Sequence, residues 1–341
     1  MTKCIAMAYA HHENWGEQWS NTIGLKNEFV RQGYKVRVCN LYEHDGKFRE
    51  DGQPRRYSPE SLINLKYQYD NGFRPEFILI CDYGMFNHPI MDQRNYPEVP
   101  VIFELADTPQ SRNAHMFKVK KATFAFTPDY LSALQFTDLG MYTFWTVHWT
   151  DINLFTADDK PEETDVITTC GSRRFKDIPG FTNELERRLE DRFWNKRFFY
   201  GKDHSDFLNK GRIVFQCSQF GEITRRIFEG ASCGKLVLTD RLHQVTNIDE
   251  IFEEDKEIVY YGSIEEAISK IDFYSRNSKE RRRIADAGYW KVLEQHTTGD
   301  RVRLIQRAVN TLKFFGGEVS CERALSILKK QYPDLKGFGR D

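Results

Sequence analysis

The stretch "RRIFEGASCGKLVLTD", residues 225–240, sets one carboxylate among apolar residues and beside two guanidinium groups. Glu229 follows Phe228, and Arg225 and Arg226 precede it by four and three positions. On a helix those spacings bring all three groups to one side. Such a set has two readings. One is an intrahelical ion pair on a solvated face. The other is a ligand site, in which the carboxylate accepts the two hydroxyl protons of a ribose diol and a guanidinium grips a diphosphate in a fork. The segment after Glu229 favours the second. Cys233 and Gly234 end the helix, an apolar strand follows, and Thr239 and Asp240 close that strand at its carboxyl end.

Other groups stand at similar places. "TTCGSRRFK" (168–176) follows an apolar run and offers turn amides with Arg173, Arg174 and Lys176, a set suited to phosphate or to plain solvated surface. Lys202 follows "FFYG". Asp82 and Asp107 each end an apolar run, where an aspartate caps a turn, orients a sugar hydroxyl or accepts a proton. His11 and His12 lie in the loop "AHHENWGE" (10–17), side by side, so that at most one faces a ligand. No spacing gives a metal-ligand set. Neither GxGxxG nor GxxxxGK[ST] occurs, which removes the sequence support for dinucleotide and P-loop chemistry.

These residues need a scaffold that brings strand ends together. Apolar runs at 3–10, 35–42, 76–83, 100–107, 122–128 and 141–149 alternate with helix-length connections, as in a parallel α/β sheet. After the polar segment "DINLFTADDKPEE" the pattern restarts, with strands expected at 164–171, 196–201, 211–217, 234–240 and 256–262. Helices are expected between them at 181–193, 223–232 and 263–275, and two more helical runs follow. The expectation is an N-terminal Rossmann-like domain over 1–149, a second α/β domain over 150–310 and a helical extension over 311–341. Ligands of such domains bind at the carboxyl ends of the strands.

The 341 residues are 29% charged with a net charge of -1, so no global positive field gathers nucleic acid or anionic lipid. Seven cysteines form no CxxC pair and several lie in apolar runs, which fits buried thiols in a reducing, cytoplasmic setting. No run approaches the length of a membrane span.

"RIFEGASCGKLVLTD" resembles the nucleotide-binding motif of GT-B glycosyltransferases of the group 1 and CgeB-like (spore-maturation-protein-like) kind. "IFEEDKEIVYYGSIEEAISKIDFY" and "ERRRIADAGYWKVLEQHTTGDRVRLI" resemble the continuation of that family, and "HWTDINLF" (148–155) is similar to its interdomain pattern. The resemblance covers roughly residues 145–310. It implies two Rossmann-like domains facing a central cleft, and a nucleotide-diphosphate sugar as co-substrate without a further cofactor or an essential metal. It also implies transfer to a hydroxyl acceptor, with retention of configuration. Glu229 would hold the ribose, with Gly230 beside it. Arg226 and Arg173 would meet the diphosphate. Lys202, from its place after "FFYG", is a further donor-site candidate. The family often has a glutamate eight positions before the ribose glutamate; here that position is Gly221, and Glu222 stands one residue late.

For catalysis the candidates are Arg226, Asp107 (in "ADTP", which resembles an aspartate–proline site of the family) and His12. The acceptor is expected on the N-terminal domain, near His12 and Asp107. Trp15 and Trp19 there suit stacking on a sugar or base, and "RNAHMFKVKK" (112–121) is a basic run suited to a phosphate backbone. A hydroxymethylated DNA base is therefore one acceptor class, beside saccharide, lipid-linked glycan, protein and small molecule. A GT-B-like sugar-phosphate enzyme and a non-catalytic nucleotide- or saccharide-binding module are the alternatives.

Overall fold

The computed structural model describes residues 3–9, 20–40, 42–48, 54–57, 60–82, 89–106, 108–170, 180–196, 201–218, 220–242 and 246–314. The chain divides into two compact units, Met1–Val147 with Val302–Asp341, and His148–Arg301. The expected break at 149/150 falls two residues late.

In the first unit β1 (Cys4–Tyr9), α1 (Ser20–Arg31) and β2 (Lys35–Asn40) form the anticipated strand–helix–strand start. The Tyr34 N–H bonds to the Phe29 carbonyl and the Gly33 N–H to that of Val30, with Gly33 at φ 85°. That left-handed conformation suits glycine, and it turns the chain out of α1 into β2. A hairpin of β3 (Tyr42–Phe48) and β4 (Pro54–Tyr57) and the helix α2 (Glu60–Asp70) follow, none of them anticipated. β5 (Ile78–Asp82), β6 (Val101–Leu105), α3 (Thr108–Val119), β7 (Phe124–Thr127), α4 (Tyr130–Asp138) and β8 (Thr143–Trp145) come next. The sheet order is β2-β1-β5-β6-β7-β8, with every pairing parallel. Its strands are near-continuous apolar runs because helices cover both faces of such a sheet; Ile5 to Ala8 and Val101 to Phe103 are fully buried.

The second unit repeats the plan: β9 (Thr164–Thr168), α5 (Phe181–Leu189), β10 (Phe193–Asn195), α6 (Gly201–Asn209), β11 (Gly211–Gln216), α7 (Arg225–Ser232), β12 (Leu236–Asp240), β13 (Val259–Tyr261), α8 (Ile264–Arg276) and α9 (Ser278–Gln295). The order is β10-β9-β11-β12-β13, again all parallel. Phe181, Phe215 and Tyr261 stack at its centre, with ring centroids 5.0–6.2 Å apart.

Two expectations shift here. The strand read at 196–201 is instead Phe193–Asn195, and α6 begins at Gly201. The preceding helix stops at Leu189 because Glu190 adopts φ 51°, outside the helical region. At the other end, the last helix, α10 (Thr298–Phe314), runs through the expected boundary at 310, and residues from Val302 onward group with the first unit.

Candidate functional site

β9, β11 and β12 are neighbours and parallel, so their carboxyl ends meet at one edge of the second sheet. The chain leaves β9 and β11 at Thr169 and Cys217, and Asp240 is the last residue of β12. α7 starts at the same edge. Thr224 is extended (φ -93°, ψ 155°) and hands over to "RRIFEGAS", whose Ile227, Phe228 and Ala231 are buried. The N-cap residue Thr224 makes no side-chain capping hydrogen bond, and its buried hydroxyl has no hydrogen-bond partner among the described residues.

The loop from β11 to α7 is closed by Glu222. Its Oε2 accepts from the Ser218 hydroxyl at 3.0 Å and from the Phe220 N–H at 2.7 Å, while its own N–H donates to Ser218 Oγ at 2.8 Å. The Ser218 N–H also donates to Asp240 Oδ1 at 3.0 Å. Burial pushes the Asp240 carboxyl up to about 7, against the bonds it accepts, and Glu222 adds a smaller push. The one-residue shift of Glu222 thus coincides with a loop-closing role.

Glu229 is fully buried. Arg225 Nε lies 2.7 Å from its Oε1, yet without the alignment of a hydrogen bond, and His204 Nδ1 lies 3.6 Å from its Oε2. Neither carboxylate oxygen has a hydrogen-bond partner among the described residues. The intrahelical pair exists, but not on a solvated face. A buried charge with unmade hydrogen bonds costs free energy unless a ligand makes them.

Arg226 points elsewhere: its Nε donates to Thr169 Oγ1 at 2.8 Å, past the end of β9. The two arginines, consecutive on α7 and so turned about 100° from one another, serve different places. His204, on α6, was missed by sequence reasoning because one histidine in a helix carries no pattern. Its Nε2 is 3.5 Å from Thr169 Oγ1, and the Phe155 ring packs edge-on at 5.4 Å. Burial brings His204 down to about 4, with Glu229 opposing and Arg226 and Arg225 reinforcing the drop. It is neutral at pH 7.

The remaining candidates divide. A Cβ on Gly230 would lie 2.9 Å from Val214 Cγ1, so this glycine lets α7 pack closely on β11. Lys202 is exposed and bonds Asp206 at 2.9 Å, one turn along α6. In the interdomain-like segment, Thr150 Oγ1 meets Ser232 Oγ at 3.1 Å and Phe155 is buried against Ile167 and Val214, which fixes it to the second unit. Arg173, Arg174 and Lys176 lie outside the described residues, as do His11, His12, Trp15, Trp19 and Asp107. Of Asp82 only the backbone is described, as the last residue of β5. The basic run 112–121 is no continuous stripe: Lys118 and His115 are buried in α3, and Arg112 Nε donates to Ser132 Oγ at 3.0 Å. Arg112 stays partly exposed beside that contact, Lys120 is exposed and Lys121 half-buried at the end of the run. Among the described residues no group of three or more His, Cys, Asp or Glu side chains is placed to hold a metal ion.

Residues 168–307 match the family described as glycosyl transferase-like. No curated protein matches the chain. Solved structures do. A sucrose-phosphate synthase from Thermosynechococcus elongatus is 10% identical with a TM-score of 0.62, over 92% of this chain and all of that one. Anabaena Alr3699/HepE, in complex with UDP and glucose, is 12% identical with a TM-score of 0.62, over 91% of this chain and all of that one. An alpha-glucosyltransferase in complex with UDP and a 13-mer DNA is 11% identical with a TM-score of 0.54, over 89% of this chain and 98% of that one. At these identities the likeness is one of fold, and the fold is GT-B: two Rossmann-like units with parallel sheets.

Proposed function

We propose that this chain is a nucleotide-sugar-dependent glycosyltransferase of the group 1 or CgeB-like kind, with the donor held by the second unit. The observation that carries the reading is Glu229: a fully buried carboxylate with both oxygens open for hydrogen bonds, one turn into α7, the helix that starts at the strand-end edge. A ribose diol supplies two donors to such a group. Arg226, fixed by Thr169, supplies fixed positive charge for the diphosphate, and the start of α7, where Thr224 makes no capping bond, adds N–H groups.

The reaction follows from the charges. The bond from the anomeric carbon to the diphosphate oxygen breaks with its electron pair on that oxygen. The acceptor oxygen bonds to the anomeric carbon, and its proton passes to the leaving phosphate. With retention, entry and departure share one face of the sugar. Negative charge grows on the diphosphate, where preorganised arginine is most effective. That charge supply supports working without an essential metal. For the acceptor we propose a hydroxyl-bearing base in modified DNA, a reading supported by the fold it shares with a glucosyltransferase solved with DNA, with Asp107 and His12 as its contacts. The six cysteines among the described residues are free thiols, which supports a reducing, cytoplasmic setting. No helix among the described residues is long and apolar enough to cross a membrane.

Calorimetry against UDP-, GDP- and ADP-sugars, followed by mass spectrometry of hydroxymethylated DNA, unmodified DNA and a glycan panel, tests the reading. Sugar added to an acceptor supports a transferase. Interconversion of the donor sugar alone indicates a sugar-phosphate enzyme, and binding without turnover a binding module. Transfer to glycans and to no DNA rejects the DNA acceptor.

A further inference from the structure

We infer that His204 is a positioning residue that couples the diphosphate grip of Arg226 to the ribose grip of Glu229, an inference that rests on the proposed donor site. Four side chains from three places in the second unit lie in series: Arg226 and Glu229 on α7, Thr169 just past β9 and His204 on α6. Arg226 Nε donates to Thr169 Oγ1 at 2.8 Å, Thr169 Oγ1 lies 3.5 Å from His204 Nε2, and His204 Nδ1 lies 3.6 Å from Glu229 Oε2. Only one arrangement of protons satisfies the whole series. A carboxylate only accepts, so Nδ1 carries the imidazole proton. Nε2 then accepts, the Thr169 hydroxyl donates to it, and the Thr169 oxygen is left to accept from Arg226. Every donor has an acceptor, and the direction runs from the guanidinium to the carboxylate.

The surroundings hold the ring in place. His204 is buried and Phe155 packs on its edge. The opposite carboxylate oxygen faces Arg225 at 2.7 Å. The two histidine contacts are long for hydrogen bonds, a geometry that sites without ligand often show and that tightens when a ligand is bound. A ribose drawing Glu229 into place acts on His204 and Thr169, and through them on Arg226; a diphosphate acts along the same path in reverse. His204 touches neither part of the nucleotide in this assignment.

The test is a double-mutant cycle on nucleotide diphosphate binding, with UDP, GDP and ADP as probes and the tightest taken forward. Glu229→Gln and Arg226→Ala are measured singly and together, in the otherwise native protein, in Thr169→Val and in His204→Asn. Thr169→Val keeps the shape and removes the hydroxyl link. His204→Asn keeps an N–H near the Nδ1 position and removes the acceptor at Nε2. In the native background the double variant should depart from the product of the single losses by roughly 5-fold, as residues in one network do. In both link variants the losses should multiply to within about 2-fold. Thermal denaturation identifies any variant that is not folded, and Thr169→Val decides the matter if His204→Asn is not. Coupling that persists undiminished in Thr169→Val, or multiplicative losses in the native background, overturns this inference and leaves the donor site standing. No binding of any of the three diphosphates to the native protein overturns the donor site and this inference with it.

Discussion

Glu229→Gln is the sharpest perturbation available, because it preserves volume and removes only the charge of a fully buried side chain. In the free protein the change is tolerable. Neither carboxylate oxygen makes a hydrogen bond among the described residues that would be lost, and Arg225, about a quarter exposed, can be rehydrated. In the nucleotide complex the change is costly. Two hydroxyl-to-carboxylate bonds become bonds to a neutral amide, one of whose two ends cannot accept. Hydrogen bonds to a charged group are worth about 1.5–3 kcal/mol each. The expected loss of ribonucleoside diphosphate affinity is therefore about 10- to 150-fold, at about 1.4 kcal/mol per decade. The control lies in the ligand: a 2′,3′-dideoxy nucleotide offers no diol, so the same substitution should change its affinity less than about 3-fold. Calorimetry with both ligands on both proteins closes the cycle. Equal losses for the two ligands would refute a contact between Glu229 and the diol, and would return the residue to a purely structural pair with Arg225.

Arg226→Ala should lower kcat by about 100-fold or more while leaving KM for an uncharged acceptor within about 3-fold, since the charge it meets grows in the transition state; steady-state kinetics with both substrates varied will show it. Gly230→Ala should destabilise the protein by about 1–3 kcal/mol, because the added methyl meets Val214 Cγ1 at 2.9 Å, and adding Val214→Ala should recover part of that loss in chemical denaturation. Acid should destabilise the fold through His115 and His204, brought by burial to about 3 and about 4. Their contribution is whole above the unfolded value near 6.5 and is lost as pH falls toward 4, so each replaced singly by Gln should flatten the stability–pH curve in that window. Asp240 has the opposite sign. Its carboxyl is raised to about 7, so its contribution is whole below about 4 and is lost as pH rises through 7. Asp240→Asn keeps an acceptor for the Ser218 N–H, and its melting temperature relative to the native protein should climb between pH 5 and pH 8.

The strand–helix alternation was legible because buried parallel strands leave unbroken apolar runs, and ten of the eleven expected strands overlap an observed one. The strand at Phe193–Asn195 was not, since its "FWN" is short and sits against a helix that Glu190 ends with an unusual backbone angle. The hairpin β3–β4, built from charged and turn residues, carries no alternation to reveal it. Within the site, "RRIFEG" announced Glu229 through its composition and its place before a strand. Helical spacing grouped Arg225 with Arg226, but side-chain direction separated them, one toward Glu229 and the other toward Thr169. His204 and Thr169 join the site through tertiary packing across more than 20 residues of chain, which no local pattern records.

The most direct test is a crystal structure of the protein with the nucleotide diphosphate that it binds most tightly. The ribose hydroxyls should lie within hydrogen-bonding distance of both Glu229 carboxylate oxygens, and the diphosphate against the Arg226 guanidinium at the start of α7. A nucleotide seated away from α7, or one whose ribose leaves the Glu229 carboxylate without hydrogen bonds, would contradict the proposed donor site.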